Sequence, residues 1–257
     1  MILCIRSYGD FSERLRGDRL GQWLHAREQA HLDTLKVEKR RREWLLGRAV
    51  TKEAVQRLLW IRDGVEVSFQ AIAILPDEDR APVAHVEGHE PVVVSLSHRG
   101  ELAFAGAAEA SECAGLGVDI ERVEPRHPSF VQEWFTAEEQ HAIDAAEPLQ
   151  MHRLVSVFWC AKEAALKAAR KGLSVSADRV LVERVGADGS LDLQCDPTLI
   201  AGVISAHCWH LPSYVLSWAA LPANGGRLAT PLPPHPACLT LPSVASEVAV
   251  KRLKVVG

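Results

Sequence analysis

Three carboxylates and a lysine, carried by two short segments, are the residues of this chain best placed to do chemistry. Asp119 and Glu121 stand in Gly117-Val118-Asp119-Ile120-Glu121, and Glu163 and Lys167 stand in Phe158-Trp159-Cys160-Ala161-Lys162-Glu163-Ala164-Ala165-Leu166-Lys167. The first segment reads as a strand: Leu116, Val118, Ile120 and Val123 are apolar, and a side-chain period of two puts Asp119 and Glu121 on one face. Two carboxylates side by side repel unless a cation lies between them or one takes up a proton, so the pair implies a partner, most economically a hard divalent cation. The second segment reads as a helix over residues 151–171, rich in Ala and Leu, with Gly172 suited to a left-handed C-terminal cap. Trp159, Glu163 and Lys167 recur every four residues beside an apolar stripe of Leu154, Val157, Phe158, Ala161, Ala165 and Ala168. Glu163 is thereby presented at the rim of the core, with Lys167 one turn further on.

Taken singly these features are ordinary. A Glu four residues before a Lys is usually a surface ion pair, and an Asp-x-Glu at a strand end is usually a solvated edge. Their conjunction with a third segment carries more. Val92-Val93-Val94-Ser95-Leu96-Ser97-His98-Arg99-Gly100 reads as a strand ending in a turn, with Ser97, His98 and Arg99 at a tip that suits a phosphate. The bland reading of that segment is a plain hairpin. Arg48 follows Gly47 inside the helical pattern Trp44-Leu45-Leu46-Gly47-Arg48-Ala49-Val50, where a glycine costs about 1 kcal/mol relative to alanine and so points to close approach of another group.

The elements that must position these residues fall into two stretches. The first has a strand at 2–6, helices at 13–34 and 38–60, a weak strand at 65–69, and strands at 92–97 and 102–108 that pair around the His98–Gly100 turn. A small-residue stretch at 108–114 reads as a link. The second stretch starts with the Gly117 strand and passes Thr136-Ala137-Glu138-Glu139, a capping box for a short helix. It continues into the Glu163 helix and ends with strands at 179–185, 191–195, 203–210 and 214–220. Strand, helices, then strands in both stretches suggest two comparable α+β lobes. Beyond Leu221 the Pro/Gly-rich composition reads as a flexible extension, with one further element at 244–256.

Composition narrows the function classes. The chain has 257 residues, 47% apolar and 24% charged, enough to bury a sizeable core. A net charge of −4 gives no general affinity for nucleic acid, although Lys36, Lys39, Arg40, Arg41, Arg42, Arg48 and Lys52 crowd one region, ordinarily a solvated helix face. No apolar run reaches the roughly 18 to 20 residues a spanning helix needs, so no membrane partner is expected. Six scattered cysteines without zinc-type spacing point to a reducing, cytoplasmic setting.

In order, the chain carries Leu45-Leu46-Gly47-Arg48, Ser97-His98-Arg99-Gly100, Gly117-Val118-Asp119-Ile120-Glu121, Trp134-Phe135-Thr136-Ala137-Glu138-Glu139, Phe158-Trp159-Cys160-Ala161-Lys162-Glu163 through Lys167, and Lys171-Gly172-Leu173-Ser174. This series resembles the 4′-phosphopantetheinyl transferases of the monomeric, two-lobed type that activates surfactin synthetase and its relatives. The resemblance implies an α+β fold of two similar lobes in pseudo-twofold arrangement, with an N-terminal lobe at 1–110, a C-terminal lobe with the metal site at 111–221 and an extension at 222–257. It implies transfer of the phosphopantetheine arm of coenzyme A, as substrate, to a serine of an apo acyl- or peptidyl-carrier protein, with Mg²⁺ as cofactor and adenosine 3′,5′-bisphosphate as the other product. Asp119, Glu121 and Glu163 would hold Mg²⁺. Glu163 would act as general base, directly or through a water, and Lys167 would stabilise phosphoryl charge. Ser97, His98, Arg99 and Arg48 would contact phosphates, Arg48 being the candidate for the 3′-phosphate. The family's Gly-Lys-Pro lysine is missing from Gly88-His89-Glu90-Pro91, leaving His89 or Arg80 as its substitute. The carrier would dock near Val123, Phe130, Val131, Trp134 and Phe135, with Arg122 and Arg126 facing an acidic helix. Two other readings are a non-catalytic carrier- or coenzyme-A-binding homologue and a metal-dependent nuclease. The helical spacing of Glu163 and Lys167 and the acidic net charge count against the nuclease.

Overall fold

A strand followed by helices and then a run of strands occurs twice along the chain, and each run closes into its own five-stranded sheet. The structure is a computed structural model and describes residues 1–226 and Leu228. It divides into units at Leu116/Gly117. Apart from Leu228, the expected extension beyond Gly226, including the element at 244–256, lies outside the described residues.

The first unit contains β1 (Ile2–Ser7), α1 (Ala26–Leu32), α2 (Glu38–Asp63), β2 (Ile72–Pro76), β3 (Pro82–Val86), β4 (Val92–Arg99) and β5 (Leu102–Glu109). Its strand order is β1-β5-β4-β3-β2. The α2 helix packs on β5, β1 and β4, burying Leu45, Leu46, Ala49, Val50, Leu58 and Leu59. Gly47 is needed for that packing. A Cβ there would lie 3.1 Å from Leu96 Cδ1, so the glycine lets the helix settle on β4. The helix stops at Gly64, which adopts φ 69° and donates its N–H to Trp60 O at 2.9 Å.

The second unit contains β6 (Cys113–Arg122, which spans the boundary), α3 (Pro128–Trp134), α4 (Ala137–Asp144), α5 (Pro148–Ala168), β7 (Val180–Val185), β8 (Ser190–Cys195), β9 (Ser205–His210) and β10 (Tyr214–Pro222). Its order is β6-β10-β9-β8-β7. In each sheet the first strand of the run lies beside the last, so the two topologies match strand for strand. The α+β class with two similar halves is therefore present. The α5 helix packs on β10, β9 and β7 and supplies much of the core through Val157, Phe158, Ala161, Ala164, Ala165 and Leu166.

Several local expectations change. The single helix expected at 13–34 is replaced by 3-10 turns at Gly9–Phe11 and Gly17–Gln22 and the short α1. His25 starts α1 afresh as N-cap, its side chain accepting from Arg27 N while Glu28 accepts from His25 N. The segment expected as a strand at 65–69 leads instead into a 3-10 turn at Phe69–Ala71, with Ser68 accepting from Ala71 N, and the strand begins at Ile72. β3 was not anticipated. The stretch at 108–114 is a tight turn in which Glu112 N donates to Glu109 O at 3.1 Å. α5 starts at Pro148, where a proline lacks only an N–H that would be unpaired anyway. It ends on Arg170 rather than Gly172. Arg170 takes φ 58°, its N–H reaches Lys167 O at 2.9 Å, and Lys171 N–H reaches Leu166 O at 3.0 Å, the two bonds of a Schellman closure.

Candidate active site

Gly117 decides how closely α5 approaches β6. An ideal Cβ on Gly117 would lie 1.8 Å from Ala164 O, so no side chain fits there. Strand alternation puts Gly117, Asp119 and Glu121 on one face, and contact with Ala164 shows that this face meets α5. Ala161, Ala164, Ala165 and Ala168 keep the helix side equally slim. The close approach brings the side chains of Glu163 and Lys167 to those of the strand.

Lys167 Nζ donates to Asp119 Oδ1 at 2.7 Å and to Val118 O at 3.1 Å, and lies 4.0 Å from Glu163 Oε2. Asp119 is 4% exposed and Glu163 8%. Burial pushes the Glu163 carboxyl up to about 7. Lys167 pulls it down, while Asp119 and Glu121 push it up further. Glu163 Oε1 is buried without a hydrogen-bond partner. Burial opposes the charge on Lys167, but Asp119 and Glu163 outweigh it and hold the ammonium above its ordinary range. Glu121 Oε2 accepts from Arg126 at 2.7 Å. Cys160, one turn before Glu163, is no nucleophile. Burial and then Asp119 push its thiol well above the usual range, so it stays protonated.

The structure thus joins Asp119, Glu163 and Lys167 in one contact set and puts Glu121 on the same strand face. Among the described residues no group of three or more His, Cys, Asp or Glu is placed as a ready metal cage. The donors nevertheless suit a hard cation. Oxygens from two elements converge, and Glu163 offers a buried, unsatisfied oxygen whose proton affinity is raised by its acidic neighbours.

The predicted phosphate ligands lie in the first unit. His98, 42% exposed near the end of β4, has Nε2 3.4 Å from Glu43 Oε2 of α2. Ser97 and Arg99 are half-buried on the same strand, and Gly100 at φ 62° turns the chain into β5. The Arg48 side chain is only 15% exposed. Its Nε lies 3.8 Å from Glu28 Oε1 and its guanidinium sits 4.8 Å over the Trp44 ring. Burial lowers its pKa, with Glu28 opposing. His89 stands in the turn before β4, 3.2 Å from an Arg62 nitrogen and 3.4 Å from Asp63 Oδ2. Arg80, exposed in the β2–β3 turn, adopts φ 66°.

The expected docking residues are tied into the fold. Phe135 is core at 3% exposure. Phe130 packs edge-on to Trp159 at 4.8 Å, Trp134 packs on the same ring at 5.6 Å, and Arg126 lies over Phe130 at 5.2 Å. Two features escaped the sequence reading: the role of Gly117 as the contact point for α5, and two buried Lys–Glu pairs, Lys52–Glu28 and Lys162–Glu139. A small-residue strand facing an alanine-rich helix was the available signal for the first. No sequence signal marks the second, because the burial of each capping-box glutamate depends on a lysine distant in the chain.

Residues 115–218 match the model of the 4′-phosphopantetheinyl transferase superfamily, and residues 27–108 match that of the 4′-phosphopantetheinyl transferase N-terminal domain. A holo-[acyl-carrier-protein] synthase of Staphylococcus saprophyticus subsp. saprophyticus is 39% identical over 82 residues, covering 32% of this chain and 70% of that protein. Among solved structures, the holo-(acyl-carrier-protein) synthase from Bacillus anthracis str. Ames in complex with CoA (3′,5′-ADP) matches at 21% identity and a TM-score of 0.39, over 43% of this chain and 97% of that one. The Chronobacterium ammoniagenes ACPS–CoA complex matches at 25% identity and a TM-score of 0.33, over 40% of this chain and 90% of that one. The two family models together cover most of the chain, including Asp119, Glu121, Glu163 and Lys167, and with the 39% identical synthase they show that the chain belongs to the 4′-phosphopantetheinyl transferase superfamily and is an enzyme of it.

Proposed function

We propose that the protein transfers the 4′-phosphopantetheine arm of coenzyme A to a serine hydroxyl of an apo acyl- or peptidyl-carrier protein, with Mg²⁺, releasing adenosine 3′,5′-bisphosphate. One observation carries the reading. Glu163 is a buried carboxyl with a pKa of about 7, set beside Asp119 and Lys167. A serine hydroxyl is a poor nucleophile, and a buried carboxylate whose Oε1 has no hydrogen-bond partner offers an acceptor for its proton. In the step proposed, Glu163 takes the serine proton as the serine oxygen bonds to the phosphopantetheine phosphorus. The bond from that phosphorus to the bridging oxygen of the pyrophosphate breaks, and the electron pair leaves on adenosine 3′,5′-bisphosphate. Lys167, kept cationic by Asp119 and Glu163, offsets the charge that develops on the phosphoryl oxygens. Asp119, Glu121 and Glu163 would hold Mg²⁺, which when bound neutralises pyrophosphate charge.

Ser97, His98, Arg99 and Arg48 are assigned to coenzyme A phosphates. The surroundings of the two candidates favour Arg80 over His89 as the cation that replaces the family lysine. Arg80 is exposed in the β2–β3 turn, whereas His89 is engaged 3.2 Å from an Arg62 nitrogen and 3.4 Å from Asp63 Oδ2. His89 precedes the start of β4, on the order of 20 Å or more from His98 at 3.3 Å per residue. The test is incubation of the protein with coenzyme A, Mg²⁺ and a panel of apo-carriers, reading carrier mass and nucleotide release. Arg80→Ala is expected to raise the coenzyme A Michaelis constant while His89→Ala leaves it in place. The reverse order would move the assignment to His89.

A further inference from the structure

The same buried device occurs once in each unit. In the first, Lys52 Nζ on α2 lies 2.5 Å from Glu28 Oε2 and donates to Trp23 O at 3.1 Å and Phe69 O at 2.8 Å. Glu28 is the capping-box residue of α1, and its Oε1 accepts from Ile74 N, the third residue of β2, at 3.1 Å. In the second, Lys162 Nζ on α5 lies 2.8 Å from Glu139 Oε2 and donates to Ala177 O at 3.0 Å and to Val180 O. Glu139 is the capping-box residue of α4, and its Oε1 accepts from Val182 N, the third residue of β7, at 2.9 Å. Each ammonium lies 5.6 Å from an aromatic ring just ahead of its capping box, Trp23 in one unit and Phe135 in the other. Even the sequence repeats, as Lys52-Glu53-Ala54 with Arg57 and as Lys162-Glu163-Ala164 with Lys167.

The residue after each lysine shows what separates the units. Glu53 Oε1 is held by Arg6 of β1 at 2.5 Å and by Arg57 at 2.8 Å. Among the described residues Glu163 has Lys167 at 4.0 Å as its cation, and the facing strand β6 offers Asp119 and Glu121 in place of an arginine. One copy is neutralised from within. The other keeps an excess of negative charge.

We propose that Lys162 and Glu139 are positioning residues of the transfer reaction, fixing the rotation and height of α5 so that Glu163 faces Asp119. This rests on the reading of Glu163 given above. Lys162 is 0% exposed and bonds only inward, so it touches neither substrate. Together with the Gly117–Ala164 contact it anchors the helix on two flanks. A slip of one residue would turn Glu163 by about 100° and move it by about 1.5 Å, out of the constellation.

The test uses the full chain and three glutamine variants. Glu139→Gln keeps the volume and an acceptor for Val182 N but removes the charge that holds Lys162. Glu28→Gln makes the same change in the other copy and serves as the structural control. Glu163→Gln reports on the base itself. The expected result is a kcat at least tenfold lower in Glu139→Gln, with the coenzyme A Michaelis constant within twofold, and faster amide hydrogen exchange over residues 159–167. Glu28→Gln should melt lower by a similar amount and keep kcat within threefold. Equal kcat losses in Glu139→Gln and Glu28→Gln would reduce the pair to a stability device and overturn the proposal. Full kcat in Glu139→Gln with Glu163→Gln inactive overturns the clamp alone. Full kcat in Glu163→Gln overturns the reading beneath it.

Discussion

Glu163→Gln should stabilise the cation-free protein at the pH where it abolishes transfer. The Glu163 carboxyl is raised from 4.5 to about 7 because burial and the acids of β6 outweigh the pull of Lys167. A raised pKa means that the folded state binds the proton more tightly than the unfolded chain. The charged carboxylate therefore costs nothing below about pH 4.5, costs progressively more from there to about 7, and its full cost persists above. At 1.36 kcal/mol per unit, the gap corresponds to about 3 kcal/mol. Glutamine fills the same space without the charge. In EDTA, urea unfolding should find the variant and wild type equal near pH 4.5 and the variant more stable by up to about 3 kcal/mol at pH 8. Adding Mg²⁺ should close the gap, since a ligand that binds only the native state stabilises it by mass action. Parallel stability curves across pH 4.5 to 8 would refute the strained carboxylate and remove the physical ground for calling Glu163 the base.

Other expectations follow from the same geometry. Gly117→Ala forces α5 away from β6, because its Cβ would fall 1.8 Å from Ala164 O; a loss of about 1–3 kcal/mol or more, seen as a lower melting temperature, should accompany a fall in kcat. Asp119→Asn should leave circular dichroism unchanged and cut kcat far more than Glu121→Gln does, because Asp119 holds Lys167 directly at 2.7 Å. Arg48→Ala should weaken coenzyme A binding about ten- to hundredfold, the loss of a charged hydrogen bond worth about 1.5–3 kcal/mol, while leaving 3′-dephospho-coenzyme A binding unchanged; calorimetry with both ligands decides. Phe130→Ala should lower the melting temperature, since the ring packs 4.8 Å from Trp159 and 5.9 Å from Phe135.

The chemistry was legible where it followed local periodicity. Asp119 with Glu121 obeys the period of a strand, Glu163 with Lys167 that of a helix, and both pairs stand where those periods put them. Gly47 announced a close approach, and Leu96 is the group it meets. What escaped depends on partners distant in sequence. The small residues around Gly117 permit a close approach but do not say that Ala164 will be the group that presses on it. Nothing in Ala137-Glu138-Glu139 says that Glu139 will leave the helix surface to bind Lys162 and Val182 N. The stretch 13–34 is rich in helix-forming residues, yet Gly17 and Gly21 interrupt it, the His25 cap restarts the helix, and Glu28 is drawn inward to Lys52. β3 was hidden by its brevity and by the proline at its start. The pairing of Arg48 was hidden as well, because its partner, Glu28, lies on another helix.

The most direct test of the central claim is mass spectrometry of an apo-carrier panel incubated with coenzyme A and Mg²⁺, using the wild type and Glu163→Gln side by side. The account predicts that the wild type adds one phosphopantetheine to the carrier serine, with one adenosine 3′,5′-bisphosphate released per carrier, and that Glu163→Gln adds none while still binding coenzyme A. Equal modification by both proteins would contradict it.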